Sequence, residues 1–269
     1  MGVLNVTPDS FSDGGLLHDG PILSLGKVLF RVEQMLEQGA AIIDVGGEST
    51  RPGAKTVGVQ EEIDRVLPVV QAINKQFDVV VSVDTSTPEL MLMAADAGAG
   101  MINDVRALER DGAIEAAGKT ELPICLMHMQ GEPATMQKRP RYHDVISDVS
   151  AYLGLRVNLC EVGGISRERL LLDPGFGFGK SVVHNLALLN GLSQLQSLGC
   201  PLLVGLSRKS LIGKVLNRDV DDRLAGSLSL AVLAVDRGAS IIRAHDVRET
   251  VDAVLLAQAV ISESDSIVQ

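Results

Sequence analysis

The stretch Val79-Val80-Val81-Ser82-Val83-Asp84-Thr85-Ser86-Thr87-Pro88-Glu89 carries one βα unit in outline. Its first five residues form a short run of the kind a buried parallel strand needs, and the run stops on a carboxylate. Ser86-Thr87-Pro88-Glu89 then reads as a capping box with proline in the first turn, which predicts a helix opening there and stopping at Gly98. Gly98-Ala99 leads directly into the next apolar run, residues 100–102, which ends on Asn103 and Asp104.

The unit recurs along the whole chain. Apolar runs lie at residues 2–6, 41–45, 79–83, 100–102, 124–127, 170–172, 202–206 and 241–242. At or just past their ends come Asn5 and Thr7, Asp44, Asp84, Asn103 and Asp104, His128, Asp173, Ser207 to Lys209, and Arg243 with His245. Between the runs, apolar residues recur at helical spacing, as in Val28, Val32, Met35 and Leu36 before Gly39. Eight alternating βα units over 269 residues predict a (β/α)8 TIM barrel of α/β class, for which about 250 residues is usual. A Rossmann-type sheet would want G-x-G-x-x-G after the first strand, and Asn5-Val6-Thr7-Pro8 stands there instead. With no linker visible, residues 1–269 read as one domain, with residues 262–269 as a short frayed tail.

Composition narrows the function classes. The chain is 46% hydrophobic but 3% aromatic and without Trp, so aliphatic packing must fill the core. A net charge of -10 disfavours nucleic acid or an anionic membrane as the main partner. Three cysteines with no CxxC pair read as reduced, buried thiols. No apolar stretch approaches the roughly 20 residues of a membrane helix and no signal peptide precedes the first strand, so the expectation is a soluble, cytoplasmic protein.

Polar residues gathered at one end of the strands mark a working face. Two long Gly-rich loops lie on it, residues 7–15 and 46–53; Phe11 and Arg51 in them are placed as substrate contacts. Asp173-Pro174-Gly175-Phe176-Gly177-Phe178-Gly179-Lys180 fits neither a dinucleotide fingerprint nor a phosphate loop; its alternating glycines could admit a flat ligand or make room for two phenylalanines. Gly205-Leu206-Ser207-Arg208-Lys209-Ser210 follows the seventh run and opens a short helix, where barrels often bind anions. Cations are mildly unfavourable at a helix start, so the Arg208-Lys209 pair points to a purpose beyond solvation. Asp44, Asp84 and Asp173 would converge on one mouth, where they could hold Mg²⁺ or bind the donor edge of a heterocycle. Arg243 and His245 alternate onto one face and suit phosphate. His128 is ambiguous, while His18, His143 and His184 read as surface or packing residues.

These segments, in this order, resemble the dihydropteroate synthase family of pterin-binding TIM barrels. The resemblance rests on Leu4-Asn5-Val6-Thr7-Pro8-Asp9-Ser10-Phe11-Ser12-Asp13-Gly14-Gly15, Asp44-Val45-Gly46-Gly47-Glu48-Ser49-Thr50-Arg51-Pro52-Gly53, Val83-Asp84-Thr85, Ile102-Asn103-Asp104, Leu126-Met127-His128-Met129, the Asp173 stretch, Ser207-Arg208-Lys209-Ser210 and Arg243-Ala244-His245-Asp246, which together span nearly the whole chain. It implies a transferase of folate biosynthesis that joins 6-hydroxymethyl-7,8-dihydropterin pyrophosphate to p-aminobenzoate, through SN1-like loss of pyrophosphate, and that sulfonamides inhibit.

By the same resemblance, Asp84, Asn103, Met127, Asp173, Phe178, Lys209 and Arg243 form the pterin pocket, with Asp173 accepting from the amino-pyrimidinone edge. Phe11, Thr50, Arg51, Pro52 and Ser210 take p-aminobenzoate. Asn5, Arg243 and His245 hold the pyrophosphate, with Mg²⁺ on Asn5 and Asp44 supporting from beneath. Asp84, Lys209, Arg243 and His245 carry the catalysis. Family members are usually homodimers. Two departures are visible: the family usually carries a segment ahead of the first strand, and Ala244 stands where a larger aliphatic residue is common. A pterin-binding methyltransferase would keep the pterin edge without needing Asn5, Thr50-Arg51 and the Arg243/His245 pair, and an inactive paralogue would not need Asp84, Lys209, Arg243 and His245 intact.

Overall fold

The computed structural model describes residues 1–7, 17–19, 22–49, 57–131, 135–137 and 140–263. Eight strands form one parallel sheet in chain order: β1 (Gly2–Asn5), β2 (Ile42–Gly46), β3 (Val80–Asp84), β4 (Met101–Asp104), β5 (Ile124–Met127), β6 (Leu170–Asp173), β7 (Leu202–Val204) and β8 (Ala239–Ile242). Each expected apolar run overlaps one of them, although β8 begins two residues before its run. Helices α1 (Leu25–Glu37), α2 (Val59–Gln76), α3 (Pro88–Asp96), α4 (Ala113–Thr120), α5 (Val145–Val162) and α6 (Val182–Asn190) separate successive strands. Two helices, α7 (Ser210–Leu216) and α8 (Leu224–Asp236), lie between β7 and β8, and α9 (Val247–Ser262) follows. A two-residue antiparallel pair, His18–Asp19 with Ile22–Leu23, precedes α1.

The sheet curls until its two edges meet. Just past β8, the Ala244 N–H donates to the Met1 carbonyl at 2.9 Å and the Val3 N–H donates to the Ala244 carbonyl at 3.2 Å. Every strand of this eight-stranded sheet therefore has backbone partners on both sides, which removes the exposed edges that otherwise invite association. Inside the curl, Met101, Cys125 and Leu203 pack together with Leu171 and Ile241. Larger apolar layers fill the space between strands and helices, around Ile43, Val70 and Val83 on one side and Leu126, Leu153 and Leu172 on the other. All three cysteines are buried and free. Among the described residues no helix is long and apolar enough to cross a membrane.

Register sets up the working face. Asn5, Gly46, Asp84 and Asn103 are neighbours in one row across β1 to β4, and Asp44 and Ser82 occupy the row two residues below. Side chains alternate along a strand, so both rows point to the same side. Polar groups thus stand in two tiers, one at the mouth and one beneath it.

The capping box expected at Ser86 does not form. Thr87 is the N-cap of α3 and makes no side-chain cap bond, although Pro88 does open the helix. Ser86 donates instead to Asp104, and Thr87 Oγ1 donates to Glu62 Oε2 at 2.6 Å. A buried carboxylate without donors costs more than an uncapped helix end at the surface, so the hydroxyls go to the carboxylates.

Candidate active site

Arg243 organises the centre of the mouth. Its N–H is fixed to the Val204 carbonyl at 2.9 Å, and its side chain runs inward between two carboxylates. Nε donates to Asp44 Oδ2 at 2.6 Å and a terminal nitrogen lies 3.4 Å from Asp84 Oδ2. Asp44, fully buried in the lower tier, also accepts from Ser82 Oγ at 2.6 Å and from Asn103 Nδ2 at 3.2 Å. Burial pushes Asp84 well above the usual carboxylate range and the Asp44 charge adds to this, against the pull of Arg243. Burial opposes the charge on Arg243, but Asp44 and Asp84 outweigh it and hold the guanidinium above its ordinary value. A third carboxylate in this neighbourhood, Asp104, accepts the N–H groups of Arg106 and Leu108, both at 2.8 Å, and is absorbed in shaping its own loop.

Asp173 ends β6 beside a second cation. One of its oxygens accepts the Gly175 N–H at 2.7 Å. Burial raises its pKa, while Lys209 first, then the Gly175 N–H, Lys180 and Arg243, pull it back. Lys209 donates to the Phe176 carbonyl and lies 4.7 Å above the centre of the Phe178 ring. Burial lowers its pKa to about 8, with Asp173 opposing that shift. Met127, nearly buried, is the register neighbour of Asp173.

The glycines after Asp173 answer to backbone packing. All three have positive φ, 67°, 83° and 61° at Gly175, Gly177 and Gly179, where other residues are strained. A Cβ would come within 1.8 Å of the His128 carbonyl at Gly175 and 2.4 Å of the Gln130 carbonyl at Gly179. Side chains of the site come close at two of them, Met127 at Gly175 and Lys209 at Gly177. Of the two phenylalanines, Phe176 is wholly buried in the core and Phe178 remains half-buried near the site.

The basic pair before α7 divides. Lys209 serves the Asp173 pocket, whereas Arg208 turns away and pairs with Asp246, its Nε 2.9 Å from a carboxylate oxygen. Arg208 has φ +56°, and its N–H donates to Ser227 Oγ at 3.0 Å, so it joins the loops after β7 and β8. Both cations thus have protein partners, Asp246 for Arg208 and the Phe176 carbonyl for Lys209, as a purpose beyond solvation requires. Beside them, the Ser207 hydroxyl lies 3.2 Å from the His245 backbone nitrogen and 3.1 Å from Nδ1. If the hydroxyl accepts from the backbone and donates to Nδ1, the ring keeps its N–H at Nε2, a donor suited to an anion. Ser210 begins α7 and is exposed at the edge of an open hollow of about 530 Å³ shared with Lys214, Arg218 and Arg223.

Asn5 ends β1 in the upper tier, half-buried. Next to it, a Cβ at Gly46 would sit 3.5 Å from Asn5 Oδ1 and 3.7 Å from Asp84 Oδ2, so glycine leaves the gap between them open. Phe11, Thr50, Arg51 and Pro52 lie outside the described residues. Ala244 is buried and borders a void of about 10 Å³ that Leu206 and Ala231 also line.

Sequence reasoning did not find Ser82, counted as part of an apolar run, nor Lys180, read as the end of a glycine motif. Ser82 was legible as a hydroxyl inside a strand buried on both faces, which needs a buried partner. His184 proves to cap α6, its Nδ1 accepting the Ser181 N–H at 3.3 Å, which is packing work as expected.

A family model described as pterin binding enzyme matches residues 1–245. The chain is 53% identical over 266 residues to the dihydropteroate synthase of Escherichia coli (strain K12), covering 99% of this chain and 93% of that protein. Among solved structures, a Yersinia pestis dihydropteroate synthase with a sulfonamide drug complex matches with a TM-score of 0.93 at 51% identity, covering 97% of this chain and 93% of that one. A Xanthomonas albilineans dihydropteroate synthase in complex with 7,8-dihydropteroate matches with a TM-score of 0.84 at 43% identity, covering 97% and 92%. On both the family model and this identity, the chain belongs to the dihydropteroate synthase family of pterin-binding enzymes.

Proposed function

We propose that this protein is a dihydropteroate synthase, a transferase of folate biosynthesis that condenses 6-hydroxymethyl-7,8-dihydropterin pyrophosphate with p-aminobenzoate. The observation that carries the proposal is Arg243 lying between Asp44 and Asp84 at the same mouth as the Asp173–Lys209 pair. A dihydropterin needs a carboxylate for its amino-pyrimidinone edge, and its pyrophosphate needs cations a few ångströms away. We read the fold as a closed (β/α)8 TIM barrel acting as a single domain.

Asp173 would accept two ring-edge N–H groups. Asn103 holds its amide by donating to Asp44, so its oxygen is the end that can accept from the opposite edge. Lys209 would donate to the ring carbonyl and adjacent nitrogen, and Met127 and Phe178 would cover the flat faces. Departure of pyrophosphate leaves positive charge delocalised into the ring. Asp84 answers that charge, and a carboxylate whose ionised form is made costly by burial and by Asp44 gains most when a cation forms beside it. Arg243 and His245 draw the negative charge the other way, onto the leaving group. The arylamine is nucleophilic already, so no strong base is required. Its pocket, by resemblance, comprises Phe11, Thr50, Arg51, Pro52 and Ser210, and sulfonamides would compete there.

Asp44 and Asp84 are both engaged by Arg243 and the Asn103 oxygen is assigned to the ring edge, so Asn5 is the neutral oxygen we assign to the metal. One amide oxygen fits a Mg²⁺ that takes its other ligands from the diphosphate and water. Bound there, the ion would neutralise the leaving group's charge. The working unit in this proposal is a homodimer, to be checked by light scattering. The decisive assay incubates purified protein with Mg²⁺, the pterin pyrophosphate and p-aminobenzoate: pyrophosphate and 7,8-dihydropteroate are expected, and a folded sample that yields neither refutes the reading.

A further inference from the structure

We propose that Lys180 is a positioning residue for pterin recognition: its buried ammonium ties the end of β5 to the turn after β6 and so holds Asp173 and Phe178 in the shape that meets the ring. Lys180 is 3% exposed. Its Nζ lies 2.8 Å from His128 Nδ1, 2.9 Å from the Gly175 carbonyl and 3.1 Å from the Phe178 carbonyl, with the His128 carbonyl further off at 3.4 Å. An ammonium has three hydrogens, and three close acceptors take them.

Those acceptors fix the roles on both sides. His128 must be neutral and accepting at Nδ1, and burial together with the Lys180 charge lowers its pKa to about 3. Its ring is also seated edge-on against Tyr152, with centroids 4.9 Å apart, so His128 is a fixed post for the lysine to reach. The two turn carbonyls lie within the run of positive-φ glycines, at Gly175 and between Gly177 and Gly179, a backbone path that costs conformational free energy and needs an anchor. Tyr142 adds a second tie by donating to the Gly179 carbonyl at 2.9 Å. A buried cation bonded to neutral groups is itself costly, and burial depresses the Lys180 pKa strongly. A methionine would fill the same space without that cost. What the charge adds is a staple between two strand ends and a field on Asp173, which lies between Lys209, Lys180 and Arg243, with the neutral thiol of Cys125 nearby.

The inference rests on the pterin pocket described above, and its test separates the two. Affinity for the dihydropterin pyrophosphate is measured by calorimetry without p-aminobenzoate, on wild type and Lys180→Met, across pH, alongside steady-state kinetics. Lys180→Met is expected to weaken pterin affinity about ten-fold, the equivalent of one lost charge-assisted hydrogen bond, with KM rising in parallel and kcat falling less. On acidification, affinity in Lys180→Met should begin to fail at higher pH than in wild type, because Asp173 has lost one of the cations that keep it ionised. A folded Lys180→Met with wild-type affinity and an unshifted pH profile overturns the proposal. If that variant does not fold, Lys180→Ala is assayed with added propylammonium: recovery of affinity supports the proposal, and no recovery overturns it. Wild type that neither binds the pterin pyrophosphate nor turns over would instead refute the synthase reading.

Discussion

Removing either member of the Asp44–Arg243 pair should destabilise the protein, and removing both should cost much less than the sum. Asp44 is fully buried and the Arg243 side chain is 22% exposed, with Nε and Oδ2 2.6 Å apart. Breaking a buried pair by deleting one partner typically costs about 3–5 kcal/mol, because the survivor keeps its desolvation penalty. Asp44→Asn leaves Arg243 with Asp84 and some access to water, which places it near the low end, about 3 kcal/mol. Arg243→Met leaves two acidic side chains facing each other over the Ser82 and Asn103 donors, and belongs nearer about 4 kcal/mol. In the double variant neither charge is stranded, so the coupling should return about 2–3 kcal/mol. Urea unfolding of the four proteins at pH 8 closes the cycle, and the single variants should also melt roughly 6–16 °C lower, given the slope expected for a domain of this size. Additivity within about 0.5 kcal/mol would show that the two side chains do not support each other, and the two-tier account of the mouth would fail.

The strands were legible because their physics is local. A strand covered on both faces must be apolar along its length, and its first ionisable residue marks where burial ends, so Asp44, Asp84 and Asp173 were placed at strand ends by composition alone. Helix α3 shows the limit. Proline and the Gly98 stop were read correctly, since both act through their own backbone, but the Ser86 cap was not, since Asp104 and Glu62 come from elsewhere in the chain. Tertiary partners outbid a local bond wherever they carry charge.

At the mouth, residue identity was legible and pairing was not. Asp44 was expected as a support from beneath, and it is one, because strand register puts it two residues below the gap at Gly46. Arg208 and Lys209 look alike in sequence, yet a left-handed φ at Arg208 throws adjacent side chains apart, one to Asp246 and one to the Phe178 ring. No pattern in the chain announces that turn. Lys180 escaped notice for the opposite reason: a lysine after glycines reads as surface, and only the approach of His128 from a different strand reveals that it is buried.

Two further outcomes follow from the charges at the mouth. Asp84→Asn is expected to slow turnover far more than it weakens pterin binding while raising Tm at pH 8, since burial and Asp44 make its ionised form costly in the folded state. That gain should shrink as pH falls toward 3.8, where wild-type Asp84 is protonated folded or unfolded, and equal losses in turnover and binding would refute the role assigned to Asp84. Lys209, held at about 8 by burial, must be charged to donate to the pterin, so kcat/KM for the pterin pyrophosphate should fall as pH rises through about 8. The same shift makes this lysine a cost to folding below about pH 8, relieved as pH climbs toward 10.5, so stability and substrate capture should move in opposite directions over that window. Lys209→Arg keeps its charge throughout and should lose the alkaline limb, though its bulkier head raises KM at every pH. An alkaline limb that persists unchanged in Lys209→Arg would assign the titration to another group and remove Lys209 as the charged donor.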